Sequence, residues 1–200
     1  MTETPRVIAV CGSRREGSYT RSALHYALDA AAAAGAETDF LDLGDPELEL
    51  PLYHPDWDAE GTGDVAAALE RVRRADGVLL GSPVYHGSYS STFRSFHDWC
   101  SFDEYEDTVV GLVATAGGGS FGSTLDHMRI TIRGVHGWVH PKQVGIRNAY
   151  EKFAEREAAT ADGEIGAAAA HELTDGDIAD RLGELGEGVA ESAVRLGSSE

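Results

Sequence analysis

The chain has 200 residues, which suits one compact α/β domain, and residues 1–200 are predicted to form a single one. Its formal net charge is −18, and its acidic residues are spread along a chain that is 42% hydrophobic. Such a surface repels nucleic acid and anionic membranes, so neither is an expected partner. A folded acidic protein with lysine only at Lys142 and Lys152 suits a salt-loving organism, where salt screens the self-repulsion.

The sequence contains no apolar run long enough to span a bilayer, and its polar first six residues do not resemble a signal peptide. A cytoplasmic location is therefore expected. Cys11 and Cys100 are too few for a disulfide framework and are predicted to be inert thiols. Three histidines between residues 127 and 140 lack a convincing set of partner ligands, so no metal site is predicted.

Apolar runs alternate with helix-like segments along the chain, which predicts parallel strands joined by helices on both faces of a sheet. Strands are predicted at residues 6–11, 37–43, 78–80 and 108–115 and within 138–146. Helices are predicted at 18–34, 63–75, 90–100, 120–133 and 175–196, with Ser120 as the cap of the fourth and Thr174 or Asp175 as that of the last. The Ala/Glu/Gly-rich residues 155–172 are predicted to be a mobile loop or frayed helix.

The loop after the first strand contains hydroxyls at Ser13, Ser18 and Thr20 and precedes a helix, an arrangement that suits a phosphate. Ser18-Tyr19 stands where a nucleoside-triphosphate loop needs Lys-Ser/Thr, and Arg14 stands where a dinucleotide loop needs glycine. A terminal monophosphate remains, held by hydroxyls, backbone N–H groups and arginine. The alternative is an ordinary tight turn in which Ser18 caps the helix.

The loop after the third strand contains Pro83, which stiffens it, and Tyr85 and His86, which can flank a planar ring. Taken singly, Tyr85 and His86 also suit the surface of a turn. On the next helix, Phe93, Phe96, Trp99 and Cys100 recur at helical spacing and are predicted to face either the core or a partner subunit.

These motifs together resemble the NADPH-dependent FMN reductase family over about residues 6–147. The matching positions are Gly12, Ser13, Arg15, Ser18, Thr20, Pro83, Tyr85, Asp98, Trp99, Gly117, Gly118, Gly119, Met128 and Arg129. The chain departs from the family pattern at Ser91, Phe93, Arg94 and Ser95. The resemblance implies a flavodoxin-like three-layer sandwich, with a five-stranded parallel sheet in the order 2-1-3-4-5.

The resemblance also implies where FMN would bind. The phosphate would be held by Ser13, Arg15, Ser18, Tyr19 and Thr20. The isoalloxazine would be lined by Pro83, Val84, Tyr85 and His86, and its pyrimidine side by Thr115, Ala116, Gly117 and Gly118. His86 is expected to stack or to be solvated, and no side chain is nominated as an acid, a base or a nucleophile.

The activity implied by this family is transfer of hydride from NADPH or NADH to bound FMN, followed by reduction of a flavin, quinone or similar small acceptor. A homodimer or homotetramer is the expected assembly. The alternative is a non-enzymatic electron carrier of the flavodoxin type that docks to redox partners. The Gly-Ser-x-Arg pattern at Gly12–Arg15 favours the reductase.

Overall fold

A computed structural model describes residues 4–156 and 169–197. Within them, one sheet of five parallel strands has the order β2-β1-β3-β4-β5, which confirms the predicted fold. The strands are β1 (Arg6–Cys11), β2 (Glu37–Asp42), β3 (Gly77–Pro83), β4 (Val109–Thr115) and β5 (Trp138–Ile146). The sheet places the carboxyl ends of β1, β3 and β4 side by side.

Helices cover both faces of this sheet. They are α1 (Tyr19–Ala33), α2 (Val65–Arg73), α3 (Ser91–Trp99), α4 (Gly122–Gly134) and α5 (Gly176–Gly197). Residues of α1 and α5 share one buried cluster with Val7 and Ala9, whereas α2, α3 and α4 share the other with Ile8 and Val10. A strand buried on both faces must be apolar throughout, which is why β1 reads as a continuous apolar run. None of the helices in this part of the chain is long and apolar enough to cross a bilayer.

Side chains cap the starts of α1, α3 and α5, and at α3 Ser90 Oγ accepts a hydrogen bond of 3.0 Å from the N–H of Phe93. Ser18 Oγ accepts a hydrogen bond of 3.2 Å from the N–H of Arg21 at the start of α1, and Asp175 Oδ1 accepts one of 3.1 Å from Ile178 at the start of α5. The prediction that Ser120 caps α4 was wrong. The cap position is Phe121, and Ser120 Oγ instead accepts from the N–H of Gly122 at 3.2 Å.

The apolar side of α3 faces the core. Phe93, Phe96 and Trp99 are 1%, 3% and 8% exposed, and the indole N–H of Trp99 donates to Pro51 O at 3.1 Å. Of the two predicted roles for this stripe, the core is therefore the observed one. Any contact between subunits must use other residues.

The segment predicted as a loop at 155–172 is bounded by two short strands, β6 (Phe153–Glu155) and β7 (His171–Leu173), which pair antiparallel. Three-residue strands are too short to show an alternating pattern, so no local pattern predicts them. Both strands contact α1, since the ring of Tyr19 meets those of Phe153 and His171. Residues 157–168, the middle of the predicted loop, lie outside the described residues.

A buried histidine in this core makes stability depend on pH. Burial lowers the pKa of His97, and the nearby Arg94 guanidinium lowers it further. The unfolded chain then binds protons at a higher pH than the folded one, so we expect the free energy of unfolding to fall as the pH drops below about 6.5. Urea titrations across this range should show a shallower dependence for His97→Gln. An unchanged slope in that variant would contradict the assignment.

Candidate functional site

The loops after β1, β3 and β4 are joined by backbone hydrogen bonds that continue the sheet beyond its strands. Gly12 N–H donates to Gly81 O, and Val84 N–H donates to Thr115 O, both at 2.8 Å. Ala116 N–H donates to Ile146 O, also at 2.8 Å. The three loops are therefore held at fixed positions along one edge of the sheet.

Buried hydroxyls tie the same loops together. Ser90 Oγ donates to Gly12 O at 2.5 Å, and Ser82 Oγ accepts from the N–H of Ser90 at 2.9 Å. The hydroxyls of Thr20 and Thr115 hydrogen-bond to each other at 2.5 Å, so the start of α1 is joined to the end of β4. Buried polar groups that are satisfied in this way rigidify a site before any ligand arrives.

A cavity of about 170 Å³ opens between these loops, and eleven of the residues nominated from the sequence line it. They are Ser13, Arg15, Ser18, Tyr19, Thr20, Pro83, Val84, Tyr85, Thr115, Ala116 and Gly117. Ala149 and Tyr150, which follow β5, complete the lining and were not predicted. The segment after β5 contains no recognisable motif, so these two residues can be assigned to the cavity only from the fold.

Two nominated residues, His86 and Gly118, do not line the cavity. His86 has φ +52° and, with Gly87 at φ +78°, forms the tip of a two-residue turn closed by hydrogen bonds between Tyr85 and Ser88. Positive φ at both positions is the geometry of a type I′ turn. The turn carries His86 out into solvent, while Tyr85 remains at the edge of the cavity with 53% of its surface exposed.

The β1 end of the cavity has the groups that a phosphate needs. Ser13, Ser18 and Thr20 are each at most 2% exposed, and the N–H groups of Tyr19 and Thr20 lie in the first turn of α1, where the helix offers them no acceptor. The guanidinium of Arg15 is exposed, and none of the ion pairs among the described residues involves it. This donor set fits the monophosphate of FMN.

Arg21 holds the β1–α1 loop through its guanidinium, a role that the sequence did not suggest. Its Nε donates to Asp42 Oδ2 at 2.6 Å, and its Nη1 donates to Arg15 O at 3.1 Å. Asp42 lies at the end of β2, so the pair connects the loop to the neighbouring strand. The only sequence signal is an arginine one turn into α1, which is also typical of a solvated surface.

Neither cysteine offers redox chemistry to this site. Burial raises the pKa of Cys11 to about 12 and raises that of Cys100 as well, so both remain protonated thiols. Within residues 4–156 and 169–197 no group of His, Cys, Asp and Glu side chains could hold a metal ion.

The sheet order and the loops that converge after β1, β3 and β4 define a flavodoxin-like domain with a cavity at the carboxyl edge of its sheet. Residues 5–151 match the family described as NADPH-dependent FMN reductase, and the chain belongs to that family. It is therefore an FMN-dependent oxidoreductase that takes electrons from a nicotinamide nucleotide. Family membership favours the enzyme over the electron carrier.

A curated relative has the same class of activity in its name, and solved structures share the fold. An FMN-dependent NADPH-azoreductase of Staphylococcus haemolyticus is 28% identical over 150 residues, covering 73% of this chain and 79% of the relative. The fold matches an NAD(P)H:(acceptor) oxidoreductase from Paracoccus denitrificans with a TM-score of 0.70, 20% identity and 98% of each chain covered. It also matches an archaeal flavodoxin, with a TM-score of 0.63, 11% identity and coverage of 94% and 98%. The fold is thus shared with both an oxidoreductase and a flavodoxin.

Proposed function

We propose that the cavity between the β1, β3 and β4 loops is the FMN site. Buried hydroxyls, first-turn N–H groups and the exposed guanidinium of Arg15 meet at its β1 end, and this convergence carries the proposal. Pro83, Val84 and Tyr85 line the part where the flavin ring would lie, and Thr115 to Gly117 approach its pyrimidine side.

Bound FMN supplies the two-electron chemistry, accepting hydride from the nicotinamide and passing electrons on to the second substrate. The chain positions the rings and limits the contact with water. Ala116 already donates its N–H to Ile146 O, whereas the N–H of Gly117 meets no acceptor among the described residues and could face negative charge on the ring. A methyl group at Gly117 would meet no atom within 4 Å, which leaves room for a ligand to approach the backbone.

The acceptor is proposed to be a planar conjugated molecule, such as a quinone, a flavin or an azo compound. Tyr85 and Tyr150 line the same cavity with 53% and 56% of their surfaces exposed, so they can flank a flat ring. The azo compound is suggested by the names of the relatives.

An anaerobic spectroscopic titration tests this function. The protein reconstituted with FMN should show a flavin spectrum that bleaches when NADPH or NADH is added and returns when a quinone or azo dye follows. If neither nucleotide bleaches bound FMN, the activity is refuted. If FMN does not bind at all, the site assignment is refuted with it.

We further propose that the chain forms a homodimer or homotetramer. Leu52, Tyr53 and Trp57, in the irregular connection between β2 and α2, are 75%, 43% and 51% exposed. Such an apolar group beside α3 favours contact with a second copy. Light scattering should give a multiple of the 21.3 kDa chain mass, and a monomer would contradict the proposal.

We propose a cytoplasmic protein adapted to high salt. The net charge of −18 with 16 basic residues supports salt adaptation, because self-repulsion between the acids weakens as ions screen it. The melting temperature is expected to rise as KCl increases from about 0.1 M to about 2 M. A flat or falling trend in differential scanning fluorimetry would contradict salt adaptation.

A further inference from the structure

The hairpin of β6 and β7 lies just beyond residues 5–151, the part of the chain that matches the family, yet it packs on the phosphate loop. Tyr19, the first residue of α1, stacks on Phe153 of β6 with ring centroids 5.3 Å apart and planes at 21°. The ring of Tyr19 also meets that of His171 of β7, at 4.8 Å. Tyr19 is therefore in contact with both strands of the hairpin.

Hydrogen bonds fasten the hairpin along α1. The N–H of His171 donates to Ser22 Oγ at 3.3 Å, and the N–H of Leu173 donates to Tyr26 Oη at 2.9 Å. At the far end of β7, Lys152 Nζ and Asp175 Oδ2 form an ion pair of 2.6 Å. The hairpin is thus bound to successive turns of α1 rather than resting loosely on it.

His171 also touches the phosphate loop itself. Gly17 has φ +61°, and a methyl group on it would lie 3.2 Å from His171 Cε1. The imidazole therefore lies against the turn that leads to Ser18 and to the first-turn N–H groups of α1. When a loop already has the conformation that its ligand needs, the free-energy cost of ordering it on binding is smaller.

We propose that Phe153 and His171 are positioning residues that hold the β1–α1 loop ready for a phosphate, so that the hairpin sets the preference for FMN over riboflavin. This inference rests on the proposed FMN site. Riboflavin has the same ring without the phosphate, so the hairpin contributes little to its binding. Neither side chain lines the cavity, and both act through Tyr19 and Gly17.

Titrations of the apoprotein with FMN and with riboflavin, followed by flavin fluorescence, test the proposal. For His171→Ala and Phe153→Ala we expect FMN affinity to fall about tenfold and riboflavin affinity to stay the same. The ratio of the riboflavin dissociation constant to the FMN dissociation constant should therefore fall about tenfold. His171→Phe keeps a ring against Tyr19 and should restore most of the ratio. Glu172→Ala, on the opposite face of β7, is the matched control and should leave the ratio unchanged.

A purely structural role would weaken both flavins equally or lower the melting temperature alone, and either result overturns the proposal. An unchanged ratio in both His171→Ala and Phe153→Ala does so too. Failure of the underlying site looks different, because wild-type protein would then bind FMN no better than riboflavin. Arg15→Ala distinguishes failure of the hairpin proposal from failure of the FMN site. This variant should lower the ratio if the phosphate site is correct, even if the hairpin has no effect on FMN binding.

Discussion

Replacing Arg15 by alanine is expected to weaken FMN binding by about tenfold or more, because a hydrogen bond to a charged group contributes about 1.5–3 kcal/mol. Arg15 is exposed, so its guanidinium is accessible to a bound phosphate. The hydroxyls and N–H groups of the loop would remain, so binding should weaken without being abolished. Fluorescence titration of the apoprotein with FMN measures the change, and riboflavin affinity should hardly move.

The neighbouring arginine provides a matched control. Arg14 has the same charge and is also exposed, but it lines a separate small cavity with Leu50, Pro51 and Trp99. Arg14→Ala should therefore leave FMN affinity close to that of the wild type. If the two variants lost affinity equally, the effect would come from net charge, and Arg15 would have no specific place at the phosphate.

Replacing Gly186 by alanine is expected to destabilise the protein by about 1–3 kcal/mol, as overpacking of a core does. Gly186 lies in α5 where it crosses α1, and a methyl group there would fall 1.9 Å from Ala27 O and 3.1 Å from Ala31 N. These are backbone atoms of another helix, so they yield only if the two helices move apart. Chemical denaturation of the wild type and the variant measures the loss.

The same helix contains the control. A methyl group at Gly183 would meet no atom within 4 Å, so Gly183→Ala should gain stability, by up to about 1 kcal/mol, from the better helix propensity of alanine. Opposite signs for the two substitutions would show that the α1–α5 contact decides the outcome. Two stabilising substitutions would mean that this contact is looser than described.

Local patterns predicted β1, β3 and β4 well because each of these strands is short, buried along nearly its whole length and followed by a loop and a helix. Ser18 and Gly35, which has φ +96°, bound α1 as expected from their capping preferences. The start of α4 is harder to predict from the sequence, because Ser120 is a standard cap residue and yet the helix begins after Phe121. Tertiary packing of Phe121 against Gly145 overrides that local preference, because a methyl group at Gly145 would lie 2.0 Å from the Phe121 ring.

The sequence by itself determined which residues could hold a phosphate, because the chemistry of Ser13, Arg15, Ser18 and Thr20 and their spacing after a strand are local properties. Only the tertiary structure decided what surrounds them. The Arg21–Asp42 pair joins α1 to the end of β2, Tyr150 lines the cavity from the segment after β5, and the β6–β7 hairpin packs on Tyr19 and Gly17. Each of these contacts joins residues far apart in the chain, and no local pattern encodes such a pairing.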